Sequence, residues 1–218
     1  MKNFEKNQKR DIFKSYLLKE AVFSPIYEFP ILKVTNFKPA RAIPFEKIKS
    51  TKQYDQWVHF YMHDVKFERI WNNPSLYLQQ LKKFEGVITP DFSLYRELPL
   101  SMQIWNTYRN RSLGYWMQSN GVRIIPNIRW GDERTFSFAF EGIEKGGTVA
   151  VSTLGNIRND LNRYYFKKGL GKMIEVLEPK TIVSYSSSPK DIFEKYVDTG
   201  IELITIENYA VSVRKAVV

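Results

Sequence analysis

Between Glu85 and Arg134 the chain has room for little besides a strand, a long helix and a second strand. Val87, Ile88 and Thr89 suit a buried strand, which Pro90 and Asp91 end. Pro99 fits the first position of a helix, where a missing N–H costs nothing. Ile104, Trp105, Tyr108, Tyr115 and Trp116 then recur at helical spacing and predict one wide apolar face, with Met102, Trp105 and Trp116 in the core. Asn120-Gly121 stops the helix, and the run from Val122 to Trp130 starts a strand at once. A strand regained through a helix is normally parallel to the one before it, and ligands of such units gather at the carboxyl ends of the strands.

The same alternation extends in both directions. Strands are predicted at Trp57–Met62, Thr148–Ser152, Thr181–Tyr185 and Ile201–Ile206, and helices from Asn73-Pro74 to Phe84, over Asp160–Leu177 and over Lys190–Tyr196. Gly169 and Gly171 weaken the second of these helices by about 1 kcal/mol each. Thr135–Phe140 fits an alternating strand or a short helix. Upstream, Asn3–Ala21 suits an amphipathic helix with Phe4, Phe13, Tyr16, Leu17 and Val22 on its apolar side. Pro30–Thr35 suits a short strand, and Phe37–Thr51, rich in proline and lysine, an irregular surface connection. The expected fold is α/β, a mainly parallel sheet covered by helices on both faces. An open doubly wound sheet is preferred over a partial or closed barrel. A basic extension over 1–52 would precede the α/β domain over 53–218.

With 43% apolar residues, 15 Phe and 13 Tyr, the chain can fill a core, which excludes disorder over most of its length. Zero cysteines remove disulfides, cysteine-ligated zinc, iron–sulfur clusters and thiol nucleophiles together, and suit a cytoplasmic setting. No apolar run reaches the roughly 18 residues of a membrane helix, and no secretion signal opens the chain, so no membrane partner is expected. Net charge is +10, and Met1–Ser50 holds 11 Lys/Arg against 5 Asp/Glu, whereas the remainder holds 22 against 18. Such a basic quarter attracts phosphate-rich partners through a salt-sensitive field, or serves solubility alone.

Polar residues recur just past the predicted strands. Asp91 is the first candidate for a general base, since partial burial there would raise its pKa; a turn residue bonding its own backbone is the plainer role. Asp64 and Asp132 stand at comparable positions, which allows a carboxylate pair or an Mg2+ site. Ser93, Asn127, Arg129 and Trp130 are candidate ligand contacts on neighbouring strand ends, and Thr153 and Gly155 are candidate anion contacts in a loop between strand and helix that lacks the full glycine fingerprint. On the long helix Asn106, Arg109 and Asn110 flank the apolar face, with Arg111 further round. Guanidinium forks there suit a phosphate or simply face water. Gly169-Leu170-Gly171-Lys172 lacks the spacing of a phosphate loop, and His59 with His63 makes neither a metal site nor a catalytic triad.

The segments FPILKVTNFKPARAIPF, ITPDFSLYRELPLSMQIWNTYRNRSLGYWMQSNGVRIIPNIRWGD, FAFEGIEKGGTVAVSTLG and FKKGLGKMIEVLEPKTIVSY, spread over Phe29–Tyr185, resemble a family labelled only as a domain of unknown function. Phages, plasmids and other mobile elements, mostly of Gram-positive bacteria, carry it. Its most specific parts are Pro90–Ser93, Tyr108–Arg111 and the IPNIRWGD strand end; Ser186 stands where members often carry glycine, which puts a tight turn there in question. The resemblance implies a mobile-element setting, action in the host cytoplasm and an accessory or counter-defence role, and no particular activity. The preferred function is binding of nucleic acid or a nucleotide by the basic N-terminal region and the strand-end cleft. The alternative is a phosphate-ester or nucleotide hydrolase, with Asp91 and Asp132 as base or Mg2+ ligands and Arg109 or Arg129 steadying charge. A third is an inhibitor that engages a host protein through its aromatic surface.

Overall fold

A computed structural model describes residues 11–216. Its strands are β1 (Ala42–Pro44), β2 (Trp57–His59), β3 (Gly86–Ile88), β4 (Ile124–Ile125), β5 (Thr148–Ser152), β6 (Thr181–Ser186) and β7 (Glu202–Glu207). Helices α1 (Glu68–Asn72) and α2 (Ser75–Leu81) join β2 to β3, α3 (Leu100–Ser119) joins β3 to β4, and α4 (Asp160–Leu177) joins β5 to β6. Helix α5 (Lys190–Val197) joins β6 to β7, and α6 (Tyr209–Ala216) follows β7. The strands form two sheets, in the orders β1-β2-β3-β4 and β5-β6-β7, and every pairing is parallel. A parallel bridge between Asn127 and Ala150 links them, with Ile128 N donating to Ala150 O and Ala150 N to Pro126 O, both at 2.8 Å. The expected parallel α/β fold is therefore what the chain adopts, without closure into a barrel.

Alternation along the strands sorts the core. Ile43, Val58, Val87 and Ile124 point to one side, against Ile70, Leu81, Leu113 and Met117 of α1 to α3. Val149, Val151 and Ile182 likewise meet Phe166, Leu170 and Met173 of α4 and Ile192 of α5. The opposite faces of both sheets share a cluster to which each strand contributes: Ala42, Trp57, Ile88, Ile125, Ala150, Val183 and Ile206. Each such aliphatic or aromatic side chain, once buried, contributes about 1.5–3 kcal/mol, so both faces of the short strands are held.

Several local expectations are corrected. In place of a helix over 11–21 there is a 3-10 turn at Ser15–Leu18, with left-handed Lys14 and Glu20 on either side. The Asp11 carboxylate accepts bonds from Ser15 Oγ and Tyr16 N and so competes with the helical pattern. Leu17 and Leu18 are buried while Phe13 and Val22 are exposed; Phe4 lies outside the described residues. Pro30–Thr35 forms no continuous strand, only isolated bridges at Pro30 and Leu32. Within Phe37–Thr51, read as an irregular connection, Ala42–Pro44 is β1, and Pro44 is tolerated because β1 lies at a sheet edge. Phe45 and Ile48 beyond it are core. Thr135–Phe140 is neither strand nor α-helix but a run of turns that buries Phe138, Ala139 and Phe140. Helix α6 has no counterpart in the expected series.

Gly169 does not weaken α4 without return. A Cβ there would stand 2.2 Å from Nε1 of Trp130, so glycine lets the indole lie against the helix, where Nε1 donates to Tyr165 O at 3.1 Å.

Candidate functional site

The loops leaving β2 to β5 surround a cavity of about 650 Å³. Tyr61 comes from the exit of β2; Asp91, Ser93 and Arg96 from that of β3; Arg129 and Trp130 from that of β4; Gly155 and Arg158 from that of β5. Asn162 and Tyr165 on the first turns of α4 complete the wall. Parallel strands make this possible, because all their carboxyl ends face the same way.

Asp91 is buried on the cavity wall. Its Oδ1 accepts from Asn127 Nδ2 at 2.8 Å, and its Oδ2 lies 3.4 Å from Arg129 NH1. Loss of water raises the Asp91 pKa; Arg129 and the Asn127 bond oppose this, and the charge of Asp64 adds to it. Beside it the buried Tyr61 hydroxyl has no hydrogen-bond partner, and burial followed by the Asp91 and Tyr185 charges holds its pKa well above the usual tyrosine value. His59 sits behind them, stacked with Tyr61 and tilted against Tyr185 with ring centres 5.5 and 4.3 Å away. Its Nδ1 accepts from Tyr61 N, and burial pushes its pKa down to about 3, so it is neutral at pH 7.

The mouth of the cavity is cationic and aromatic. The Arg96 guanidinium lies 4.8 Å from the Tyr165 ring centre and donates to Asn162 Oδ1 at 2.8 Å, so the β3–α3 loop reaches across to α4. Arg129 and Arg158 stand on two other loops of the same wall, against the acidic Asp91 and Glu97. Among the described residues no group of three or more His, Asp or Glu side chains could hold a metal ion.

The domain of unknown function DUF4417 matches residues 21–209. The chain belongs to that family. It is 35% identical over 166 residues to the Gene 1 protein of Mycobacterium phage L5, covering 74% of this chain and 72% of that one. Its identity to the Gene 1 protein of Mycobacterium phage D29 is 32% over 166 residues, covering 74% of this chain and 61% of the phage protein. No solved structure matches it. The match to phage proteins agrees with the family resemblance carried by Pro90–Ser93, Tyr108–Arg111 and the IPNIRWGD strand end. Among the described residues of this DUF4417 chain, no helix is long and apolar enough to cross a membrane.

The structure gathers Asp91, Ser93, Arg129, Trp130 and Gly155 on one wall, with Asn127 immediately behind Asp91. It does not bring Asp132 to them. That carboxylate caps the turn at Glu133–Thr135 and takes bonds from the backbone and guanidinium of Arg134, which hold its pKa below the usual range. Asp64 is also committed, accepting from Ser93 Oγ at 2.7 Å and Ser93 N at 3.0 Å. Thr153 is buried, its hydroxyl bonding to Tyr185 O and Ser187.

Arg109 and Arg111 lie off the cavity wall, buried rather than facing water. Arg109 donates to Glu68 and Asn106 at 2.6 Å and lies over the Phe92 ring at 3.9 Å. Arg111, 2% exposed, donates to Glu141 O, Ala139 O and Asn110 Oδ1, and burial lowers its pKa to about 9, still cationic at pH 7. The predicted apolar face is displaced accordingly: Trp116 is buried, but Met102 is 50% and Trp105 46% exposed. Tyr61, Arg96, Arg158, Asn162 and Tyr165 were missed. The available signal was weak, a tyrosine two residues past a strand and polar residues on the first turn of the helix after β5.

Proposed function

We propose that this DUF4417 chain binds a nucleotide, free or at the end of a single strand of nucleic acid, in the strand-end cavity. The observation that carries the reading is three guanidinium groups, Arg96, Arg129 and Arg158, on three separate loops around one cavity that also presents Trp130 and Tyr165. Arginine forks fit phosphate oxygens, aromatic side chains provide surfaces for a base, and about 650 Å³ is within the usual range for small-ligand sites. The described part of the basic N-terminal quarter contributes less than its composition implies. Lys33, Lys38 and Arg41 pair with Glu144, Glu202 and Asp55, and Lys14 donates to Asn72 O. The overall charge of +10 still adds a long-range attraction for phosphates.

Titration of the full chain with the four ribonucleoside monophosphates and with short single-stranded oligonucleotides tests the reading. Affinity should fall about five- to tenfold between roughly 50 and 200 mM salt, and Arg158→Ala should weaken it at least tenfold. A preference for oligonucleotides would identify the strand end as the ligand, and one for monophosphates the free nucleotide. Absence of binding to both at low salt would overturn the proposal.

A further inference from the structure

We infer that the cavity is also a hydrolytic site for phosphate esters, with Asp91 as the general base. This rests on the nucleotide reading of the same cavity and adds a reaction to it.

Three aspartates follow strands that border the cavity, and two of them are spent; Glu97, the other carboxylate on the wall, is exposed. Asp64 uses both oxygens on Ser93, and Asp132 uses both on Arg134. Asp91 makes one full-strength bond, from Asn127 to Oδ1, and has only a long contact from Arg129 at Oδ2. A carboxylate offers about four lone-pair positions, so Asp91 keeps acceptor capacity for a water molecule on the cavity side. The unpartnered Tyr61 hydroxyl and Arg129 Nε lie in the same wall.

The second observation is how much buried polar structure fixes the short turn that bears Asp91. Asn110 Nδ2 donates to Pro90 O at 2.6 Å and Thr89 Oγ1 at 3.1 Å. Asn127 N donates to that same Thr89 oxygen at 2.8 Å. Asn106 Nδ2 donates to Ser93 O at 2.6 Å, Asp64 holds Ser93 N, and Arg109 covers Phe92. Each of residues 89–93 is thus held by a polar group from α3, the segment after β4 or the β2–α1 loop. Pro90 O and Ser93 O need donors that apolar side chains could not supply, so these bonds serve the fold, and together they also fix where the Asp91 carboxylate stands. That is what holding a reactive carboxylate within a fraction of an ångström requires.

In the reaction, Asp91 takes a proton from water as the water oxygen forms a bond to phosphorus. The phosphorus–oxygen bond to the ester breaks, and the leaving oxygen receives the proton, so one water is consumed and one alcohol and one phosphate are formed. Arg129 and the Tyr61 hydroxyl donate to the phosphoryl oxygens as charge builds there. Asn106 and Asn110 are positioning residues for the turn.

The test uses the full chain with p-nitrophenyl phosphate, bis(p-nitrophenyl) phosphate and the nucleotides of the binding titration. Asp91→Asn should lose at least 100-fold in kcat while its nucleotide affinity stays within threefold of the parent. In water enriched in oxygen-18, the phosphate released should carry one labelled oxygen. The parent kcat should rise with pH around a midpoint above the ordinary aspartate value, since desolvation and Asp64 outweigh Arg129 and Asn127 at Asp91, with Tyr61 remaining protonated. Should Asp91→Asn melt early, that profile decides, and a rate flat from about pH 4 to 8 overturns the inference. Turnover retained by Asp91→Asn, or nucleotide binding by the parent with no turnover of any of these esters, overturns hydrolysis and leaves the binding site standing. Absence of both binding and turnover removes the two readings together.

Discussion

Helices α3 and α4 do the same topological work and bury opposite chemistries. Each returns the chain from one parallel strand to the next, over 20 and 18 residues. α4 buries Phe166, Leu170, Met173 and Leu177, and its one buried glycine admits an indole. α3 buries Leu113, Trp116 and Met117 toward its end, but before them Gln103, Asn106, Thr107, Arg109, Asn110, Arg111 and Ser112. The difference lies in what each helix faces. α4 covers the apolar side of β5 and β6, whereas the first half of α3 lies against turns that cannot satisfy their own carbonyl groups. A helix can therefore be interior without being amphipathic, provided its polar side chains supply the bonds the adjoining turns lack.

The largest effect should come from removing the bulkiest of those buried groups. Arg111→Ala leaves Glu141 O, Ala139 O and Asn110 Oδ1 without their donor and should cost about 3–4 kcal/mol, read by urea unfolding. If the cost is below 1 kcal/mol, those turns find other partners and the contrast between the helices is only descriptive.

Next comes a matched pair. Leu170→Ala in α4 and Asn110→Ala in α3 should each destabilise the chain, by about 3 and about 2 kcal/mol. Leu170→Ala should leave nucleotide affinity and ester turnover at parent level, because it removes packing alone. Asn110→Ala frees the turn that bears Asp91 and should lower kcat with little change in KM. Equal functional effects of the two would show that α3's polar face is ordinary core. Gly169→Ala tests the apolar helix from the other side. Its added methyl would drive Trp130 from its place, costing about 2 kcal/mol and weakening nucleotide binding, because Trp130 lines the cavity.

Two smaller effects concern the cavity's edges. A carboxyl whose pKa is raised by folding binds more protons folded than unfolded, so its contribution to stability declines as pH rises from the unfolded toward the folded value. Asp91→Asn should therefore melt higher than the parent at pH 7, with the gap closing below the ordinary aspartate pKa; a lower melting temperature at pH 7 would mean that Arg129 and Asn127 outweigh desolvation. Ser186 ends β6 at φ 86, a region that favours glycine, although no turn follows it over 187–189. Ser186→Gly should stabilise the chain by about 1 kcal/mol.

The parallel α/β order was legible because β-branched runs, helix stops and prolines are local signals; β3 and α3 follow them closely, while β4 keeps only Ile124–Ile125 of the run from Val122 to Trp130. β1 escaped because Ala-Ile-Pro carries little strand propensity and is held by pairing with Trp57–His59. Over 11–21 the expected helix gives way to a 3-10 turn because periodicity ignores a competing side chain, here Asp11. For the cavity, strand ends could be picked out from the chain, so Asp91, Ser93, Arg129, Trp130 and Gly155 were found, whereas Arg96, Arg158 and Tyr165 depend on how far the loops reach.

By itself the chain of residues determined that strands and helices alternate and that the strands run parallel, so that their carboxyl ends face one way, since each follows from short-range propensity and the handedness of the crossover. Tertiary structure alone decided which of those polar groups are spent on the fold and which face the cavity. Three strand-end aspartates look alike in sequence, but Ser93 lies within reach of one and Arg134 within reach of another, while Asp91 meets Asn127 and open space. Hydrogen bonds form between groups distant along the chain, and their short range makes the outcome a matter of ångströms that no spacing rule contains.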